Sequence, residues 1–252
     1  MSFQDRTIVV TGAARGLGRA YAVAFAAQGA KVVATDVADC SDVVAEIEAA
    51  GGKAIGHSAD VSDMAAVQAL ADATAAAFGP ATGLVNNAAL YGSLRGARFD
   101  QIEEESWDAT MAVNVKGIWN TCKAFVPQMR EAGGGSIVNI SSLAATYGMP
   151  YALHYAVSKA AVIGITRSLA RELGSDRIRV NSVAPSAVLT EGTTEFMGAK
   201  YEKALAVIAG NQSISRSLTT DDLVGTVLYL ASDASGMVTG QTISVDGGTV
   251  ML

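Results

Sequence analysis

The sequence predicts an α/β fold, in which a doubly wound parallel sheet of about seven strands is covered by helices on both faces. Short apolar runs alternate with longer helical stretches along the whole chain, an order typical of parallel sheets. Half of the 252 residues are apolar and only 17% are charged, so the chain can bury a large core. No linker, low-complexity tract or repeat interrupts this order. We therefore expect a single domain over residues 1–252.

The seven apolar runs have the length and composition of strands that are buried on both faces. The predicted strands are Thr7–Thr11, Lys31–Thr35, Ala54–His57, Gly83–Asn86, Ser136–Ile140, Arg179–Ala184 and Gln241–Val245. Ligands of parallel sheets bind at the carboxyl ends of the strands, so residues that follow the strands should share one rim. Six residues of this kind are Gly12, Asp36, Asp60, Asn87, Ser142 and Pro185.

Helical periodicity fills most of the intervals between these strands. The predicted helices are Leu17–Gln28, Ser41–Ala50, Ser62–Phe78, Ser106–Glu131, Tyr151–Leu173 and Thr220–Ala231. Ser62 and Thr219 are the predicted N-caps of the third and the last of these helices. Residues 190–217 are polar and weakly periodic, and we interpret them as a substrate flap with one short helix.

A glycine-rich motif lies between the first predicted strand and the first predicted helix. It reads Thr11-Gly12-Ala13-Ala14-Arg15-Gly16-Leu17-Gly18. In this motif the first glycine permits a sharp turn, the second lets the backbone approach a pyrophosphate, and the third lets the helix pack closely on the sheet. The free N–H groups of the helix N-terminus then face the phosphates. The motif predicts a Rossmann-type dinucleotide site that includes Arg15 and Leu17; the alternative is a tight turn without a ligand.

One acidic and one basic residue bear on the choice of dinucleotide. Asp36 follows the second strand, where a carboxylate accepts hydrogen bonds from the adenosine ribose and repels a 2′-phosphate. Arg15 argues the other way, because a basic residue in the glycine-rich loop can hold that phosphate. We expect NAD, with NADP as the alternative. Asp60 and Val61 after the third strand are candidates for bracketing the adenine ring, and Asp60 equally suits a helix cap.

Ser142, Tyr155 and Lys159 carry the predicted chemistry. Tyr155 and Lys159 are four residues apart on a predicted helix and are therefore surface neighbours. A nearby ammonium should lower the pKa of the tyrosine, which would then exchange protons near neutrality. A hydroxyl at Ser142 on the rim is suited to hold a carbonyl oxygen. We expect Tyr155 to act as the general acid/base, with Lys159 also reaching the nicotinamide ribose.

These motifs together resemble the short-chain dehydrogenase/reductase family, in its single-domain branch, from about Gln4 to Gly248. The remaining motifs that carry the resemblance are Asn86-Asn87-Ala88, Asn114, Ile137-Val138-Asn139-Ile140-Ser141-Ser142, Arg179-Val180-Asn181, Pro185-x-x-Val188-x-Thr190 and Val245-Asp246-Gly247-Gly248. The resemblance implies a catalytic tetrad of Asn114, Ser142, Tyr155 and Lys159, in which the backbone carbonyl of Asn114 holds a water that relays protons from Lys159.

The resemblance also implies a cofactor site and an assembly. Val188 and Thr190 would hold the nicotinamide carboxamide, and Asn87, Ala88 and Pro185 would line the same site. A homotetramer would form through the two long helices and the C-terminal strand region. The chain departs from the family pattern at two positions, where Ala89 and Ser186 replace glycines. The first change should cost little if Ala89 has an ordinary φ.

Composition excludes several other classes of function. The net charge is −6 without a basic cluster, so nucleic acid is not expected as a partner. Cys40 and Cys122 have neither metal nor disulfide spacing, which suits a reducing compartment, and no metal site is expected. We find neither a signal-peptide pattern nor an apolar stretch long enough to span a bilayer. We therefore expect a cytoplasmic protein.

The function predicted from the sequence is NAD-dependent interconversion of a secondary alcohol and a ketone. Aromatic and methionine residues near the rim indicate an apolar substrate pocket, with Tyr91, Leu143, Ala144, Tyr147, Met149, Tyr151, Phe196 and Met197 as candidates. One alternative is an NADP-linked 3-oxoacyl carrier-protein reductase. Another is a non-catalytic NAD-binding sensor or scaffold on the same fold.

Overall fold

The computed structural model describes residues 1–251 and contains one parallel sheet of seven strands in the order β3-β2-β1-β4-β5-β6-β7. The strands are β1 Thr7–Thr11, β2 Lys31–Asp36, β3 Lys53–Ser58, β4 Gly83–Asn86, β5 Gly135–Ile140, β6 Ile178–Pro185 and β7 Thr242–Val245. Every pair of neighbouring strands is parallel. The predicted fold class is confirmed, and each predicted strand end lies within one residue of the observed end.

Ten α-helices connect these strands within the described residues. They are α1 Gly16–Ala27, α2 Ser41–Ala49, α3 Met64–Phe78, α4 Glu104–Met111, α5 Gly117–Glu131, α6 Ala144–Tyr147, α7 Leu153–Leu173, α8 Glu191–Met197, α9 Tyr201–Gly210 and α10 Asp221–Ala231. None of the helices in residues 1–251 is both long and apolar enough to cross a bilayer.

Helices cover both faces of the sheet because the strands present apolar side chains to both faces. In β1, Ile8 and Val10 pack in one core cluster, whereas Val9 packs in the other. Helices α1, α2 and α10 contribute to the first cluster, and α3, α5 and α7 contribute to the second. All five residues of β1 are buried, as expected for a central parallel strand.

The strand order reverses at β1, which has β2 on one side and β4 on the other. Ligands of such sheets bind in the crevice at this switch point. Side chains join the two strand ends: the Asn87 amide donates to the carbonyl oxygens of Thr11 and Gly12 at 3.0 Å each. The Thr11 hydroxyl accepts from the backbone N–H groups of Asn87 and Ala88, also at 3.0 Å. The rim of the crevice is therefore rigidly defined.

Two predicted helix caps are wrong. Helix α3 begins at Met64. Its N-cap is Asp63, one residue after the predicted cap, because the Asp63 side chain accepts from the backbone N–H of Ala65 at 2.9 Å. The Ser62 hydroxyl instead donates to Asp60 at 2.7 Å. Helix α10 has Thr220 at its N-cap position without a side-chain hydrogen bond. Thr219 precedes this cap position, and its backbone N–H donates to the carboxylate of Asp222 in the first turn of α10 at 2.8 Å.

Two predicted segments differ more substantially. The helix predicted over residues 106–131 consists of α4 and α5, joined by a π-helical turn at Ala112–Lys116. The flap predicted over residues 190–217 contains two α-helices, α8 and α9, with a 3₁₀ turn at Gly198–Lys200 between them. Helix α7 begins at Leu153 because Tyr151, which was predicted to start it, has a left-handed φ of 65°.

Candidate active site

A cleft of about 780 Å³ opens at the carboxyl edge of the sheet. The sequence-predicted residues that line it are Gly12, Arg15, Gly16, Leu17, Asp36, Asp60, Val61, Asn87, Ala88, Ser142, Tyr155, Lys159, Pro185, Val188 and Thr190. Gly18 and Asn114 were also predicted as site residues, but they do not line the cleft. The described residues contain no cluster of His, Cys, Asp or Glu that could hold a metal.

The glycine-rich loop forms one end of the cleft and requires glycine for steric reasons. Gly12 has a φ of +66°, and a Cβ there would lie 2.8 Å from the Cα of Ala88. A Cβ at Gly18 would overlap the carbonyl oxygen of Gly12, so Gly18 serves the packing of α1 on the turn. Arg15 is the N-cap residue of α1 and makes no side-chain capping hydrogen bond. The first N–H groups of α1 are thus left for an anion such as a pyrophosphate.

The carboxylate of Asp36 lies beside this loop at the end of β2. One of its oxygens accepts from the backbone N–H of Ala14 at 3.1 Å, and the other accepts from that of Ala38 at 3.1 Å. These bonds fix the orientation of the carboxylate. An ionised carboxylate has about four acceptor positions, so two remain for the hydroxyls of a ribose. The residues present therefore fit the adenosine end of a nicotinamide dinucleotide.

Asp60 and Val61 form the neighbouring wall, after β3. Asp60 accepts from the backbone N–H of Ser62 at 2.8 Å, so it stabilises the turn before α3 without being the cap of that helix. Val61 is buried, with 7% of its surface exposed. Both residues line the cleft.

Ser142, Tyr155 and Lys159 line the opposite end of the cleft. Ser142 lies just after β5, and its hydroxyl accepts from the backbone N–H of Ala144 at 3.1 Å. Tyr155 and Lys159 lie in α7 and are buried, with 8% and 4% of their surface exposed. The Lys159 amine donates to the carbonyl oxygen of Ile140 at 2.8 Å and lies 5.7 Å from the centroid of the Tyr155 ring. The three predicted groups are therefore brought together.

The pKa of Tyr155 differs from the sequence-based expectation. Burial raises it above the usual value, the neighbouring Tyr91 raises it further, and the Ser142 side chain acts in the opposite direction. Burial lowers the pKa of Lys159 to about 8. The expected lowering of the tyrosine pKa by Lys159 is thus wrong, because burial of the phenol disfavours its charged form and dominates the shift.

Asn114 lies behind the cleft wall, in the π-helical turn between α4 and α5. Its side chain accepts from the backbone N–H of Leu90 at 2.8 Å, and it donates to the hydroxyl of Ser158 at 3.0 Å and to the Leu90 carbonyl at 3.3 Å. Single π turns inside helices are frequent at functional sites. The side chain of Asn114 thereby ties the segment after β4 to α7, one residue before Lys159.

Aromatic rings form the wall next to Tyr155. The Tyr91 ring lies 5.1 Å from that of Tyr155 and stacks on that of Phe196, with 4.8 Å between centroids and 19° between planes. Six of the eight predicted pocket residues line the cleft. They are Tyr91, Leu143, Ala144, Tyr147, Met149 and Met197. Phe196 contributes through its stacking on Tyr91, whereas Tyr151 is exposed and does not line the cleft.

Several lining residues were not found by sequence reasoning. They are Val37, Ala59, Gly92, Ser93, Val113, Ile208, Asn211 and Thr249, among others. The apolar spacing of Leu205 and Ile208 was the available signal for α9 in the predicted flap. Both departures from the family pattern, Ala89 and Ser186, line the cleft. Ala89 does not have a positive φ, so the condition under which its alanine should cost little is met.

Comparisons with known proteins agree with this geometry. A family model described as enoyl-(acyl carrier protein) reductase matches residues 12–250. A solved structure of a short-chain type dehydrogenase/reductase from Mycobacterium ulcerans superposes with a TM-score of 0.91 at 33% identity, covering 99% of this chain and 91% of that one. The chain belongs to the short-chain dehydrogenase/reductase family.

Members of this family that are similar to the chain differ in their assigned activities. A protein of Rhizobium meliloti assigned as a galactose dehydrogenase is 41% identical, over 97% of this chain and 95% of its own length. A 3-oxoacyl-[acyl-carrier-protein] reductase of Thermotoga maritima is 38% identical over the full length of both chains. A structure from Beutenbergia cavernae, assigned as an NAD(P)-dependent gluconate 5-dehydrogenase and solved with NADP at low occupancy, has a TM-score of 0.91 at 35% identity, covering 98% of each chain. Oxidoreductase activity is common to these relatives.

Proposed function

We propose that this short-chain dehydrogenase/reductase interconverts a secondary alcohol and a ketone with NAD as its cofactor. The observation that carries the proposal is the placement of Ser142, Tyr155 and Lys159 in the same cleft as the glycine-rich loop. A dinucleotide that extends from the loop along this cleft would bring its redox end to these three side chains.

A bound nicotinamide ring supplies the hydride acceptor or donor. Tyr155 removes the proton of the substrate hydroxyl during oxidation and returns it during reduction. Ser142 donates a hydrogen bond to the same oxygen and steadies the developing carbonyl. Lys159, whose amine lies 5.7 Å from the centroid of the Tyr155 ring, would pass the proton toward solvent through water, together with the backbone carbonyl of Asn114.

The preference for NAD over NADP is supported by the carboxylate of Asp36. Its two oxygens are oriented by the N–H groups of Ala14 and Ala38, and they border the part of the cleft next to the glycine-rich loop. A 2′-phosphate there would meet a fixed negative charge at short range, whereas ribose hydroxyls would meet acceptors.

The substrate pocket favours an apolar secondary alcohol or a cyclic ketone over a polyol. Tyr91, Leu143, Tyr147, Met149 and Met197 line the cleft around Tyr155. Hydroxyl groups of a sugar beyond the reacting carbon would be left without partners against these side chains, which costs free energy.

We also propose a homotetramer in the cytoplasm. The two long helices carry exposed apolar side chains: Trp119 on α5 is 53% exposed, and Leu153 and Val157 on α7 are 41% and 38% exposed. Light scattering after gel filtration would measure the assembly, and Trp119→Glu should reduce its size.

Both described cysteines are buried and free, which fits a reducing compartment.

The deciding experiment is a panel of secondary alcohols and ketones, assayed by cofactor absorbance with NAD(H) and NADP(H) at equal concentrations. Turnover of apolar secondary alcohols with NAD is the expected result. Turnover restricted to 3-oxoacyl thioesters with NADPH would favour the second candidate, a 3-oxoacyl carrier-protein reductase, to which the 38% identity with the Thermotoga maritima enzyme points. Cofactor binding without any turnover would favour a sensor or scaffold.

A further inference from the structure

The guanidinium of Arg15 in the glycine-rich loop is engaged by a carboxylate of the flap. Glu195 of α8 receives two hydrogen bonds from it: Nη2 donates to Oε2 at 2.9 Å, and Nη1 donates to Oε1. Parallel hydrogen bonds of this kind are the strongest form of an arginine–carboxylate pair. The pair joins two segments that are 180 residues apart in the sequence.

The backbone around Gly92 leaves room for the Glu195 side chain. A Cβ at Gly92 would overlap Oε2 of Glu195 and would lie 3.1 Å from the Cα of Gly192. The segment after β4, the flap and the glycine-rich loop therefore meet at one point, and a side chain at residue 92 would displace the carboxylate. Gly92 itself lines the cleft.

Other negative charges surround Arg15. Its hydrogen bonds with Glu195 raise its pKa, and the charges of Glu195, Glu191 and Asp36 act in the same direction. Glu191 and Asp36 also line the cleft. The described part of the cleft has only two basic lining side chains, Arg15 and Lys159, and the amine of Lys159 is bonded to the Ile140 carbonyl. Arg15 is thus the single cation available near the end of β2.

We infer that Glu195 determines cofactor specificity by occupying the guanidinium of Arg15, which a 2′-phosphate would need. Binding of NADP would have to break the two hydrogen bonds between Arg15 and Glu195, whereas binding of NAD leaves them in place. Asp36 repels the phosphate and Glu195 withholds the compensating cation, so two carboxylates from different segments act together. This inference rests on the proposed dinucleotide site.

The test measures the Kd values of NADH and NADPH by fluorescence titration, without any turnover. Because the pair is exposed, its loss should have a modest effect: Glu195→Gln is expected to lower the Kd of NADPH about fivefold and to leave that of NADH within about twofold. Gly92→Ala should act in the same direction by displacing Glu195. Adding Arg15→Ala to Glu195→Gln should abolish the gain, because the freed guanidinium is then missing.

The matched control is Glu46→Gln. Glu46 of α2 pairs with Arg19 of α1 at 2.8 Å, and it does not line the cleft. This variant loses the same charge and an arginine–glutamate pair held by one hydrogen bond, and both Kd values should stay at the wild-type level. An unchanged NADPH Kd in Glu195→Gln, or a gain that survives Arg15→Ala, would overturn the inference alone. Failure of the wild type to bind either nucleotide would overturn the proposed dinucleotide site and this inference with it.

Discussion

The amine of Lys159 lies 5.7 Å from the centroid of the Tyr155 ring, above its face, and donates its hydrogen bond at 2.8 Å to the carbonyl oxygen of Ile140. Both side chains are buried. Burial disfavours the charged form of each group, so the pKa of Lys159 falls to about 8 and that of Tyr155 rises. The site thus holds two desolvated groups whose protonation depends on pH.

The lowered pKa of Lys159 predicts a pH-dependent contribution to stability. Between about pH 8 and the ordinary value of 10.5, the unfolded chain binds more protons at this residue than the folded protein does. The contribution of Lys159 to the free energy of unfolding should therefore rise with pH in that window, by at most roughly 1.4 kcal/mol per pH unit. Lys159→Met removes this dependence. The free energy of unfolding of the variant relative to that of the wild type should therefore be highest at pH 7 and fall toward pH 10.

Urea unfolding of wild type and variant at several pH values measures this difference. The control is Lys203→Met, since Lys203 is exposed on α9. A stability difference between Lys159→Met and wild type that stays constant from pH 7 to pH 10 would contradict the assignment of the shift to Lys159.

Asn114→Ala should reduce both stability and activity. The change leaves the N–H of Leu90, the carbonyl of Leu90 and the hydroxyl of Ser158 without their partner, and the expected loss is about 3 kcal/mol of unfolding free energy. The matched control is Asn181→Ala, which removes bonds to Val238 and Gln241 away from the cleft. Both variants should unfold at lower urea concentration, but only Asn114→Ala should lower kcat at a temperature where both are folded. Equal kcat values would show that the side chain of Asn114 is purely structural.

The stack of Phe196 on Tyr91 predicts a role in substrate binding. Phe196→Ala removes one ring of the stack and should raise KM for an apolar secondary alcohol about fivefold with little change in kcat. Phe99→Ala serves as the control, because Phe99 is 71% exposed. A fall in kcat at constant KM would place Phe196 in the chemistry rather than in the pocket.

Gly18→Ala tests the packing of α1 on the glycine-rich turn. The added Cβ overlaps the Gly12 carbonyl, so the variant should lose about 2 kcal/mol of unfolding free energy and bind NADH more weakly. In contrast, a Cβ at Gly164 in α7 meets nothing within 4 Å. Gly164→Ala should be neutral or stabilise by up to about 1 kcal/mol. Unaltered NADH binding in Gly18→Ala would contradict the assignment of the glycine-rich loop to the dinucleotide site.

The sequence predicted the sheet well because buried parallel strands have a simple signature. The run Thr7–Thr11 is continuously apolar or β-branched, and Gly12 follows it. The rim residues followed from the same logic, since strand ends share one edge. Helix ends were less predictable: Asp63 and Ser62 are both good caps, and only the observed hydrogen bonds distinguish them.

Contacts between distant segments could not be predicted. The pair of Arg15 and Glu195 and the stack of Tyr91 on Phe196 each depend on where the flap folds back over the cleft. The raised pKa of Tyr155 could not be predicted either, because it depends on the burial of the ring. The four-residue spacing from Lys159 gives no information about burial. Local patterns specify elements, whereas desolvation and long-range pairing depend on the assembled fold.

The most direct test of the proposed chemistry is Tyr155→Phe, measured by NADH binding and by turnover of an apolar secondary alcohol with NAD. The change removes the phenolic oxygen and keeps the ring against Tyr91. We expect NADH binding at the wild-type level and a loss of kcat of about a thousandfold. Turnover within tenfold of the wild-type rate, with binding retained, would contradict the role of Tyr155 as the general acid/base.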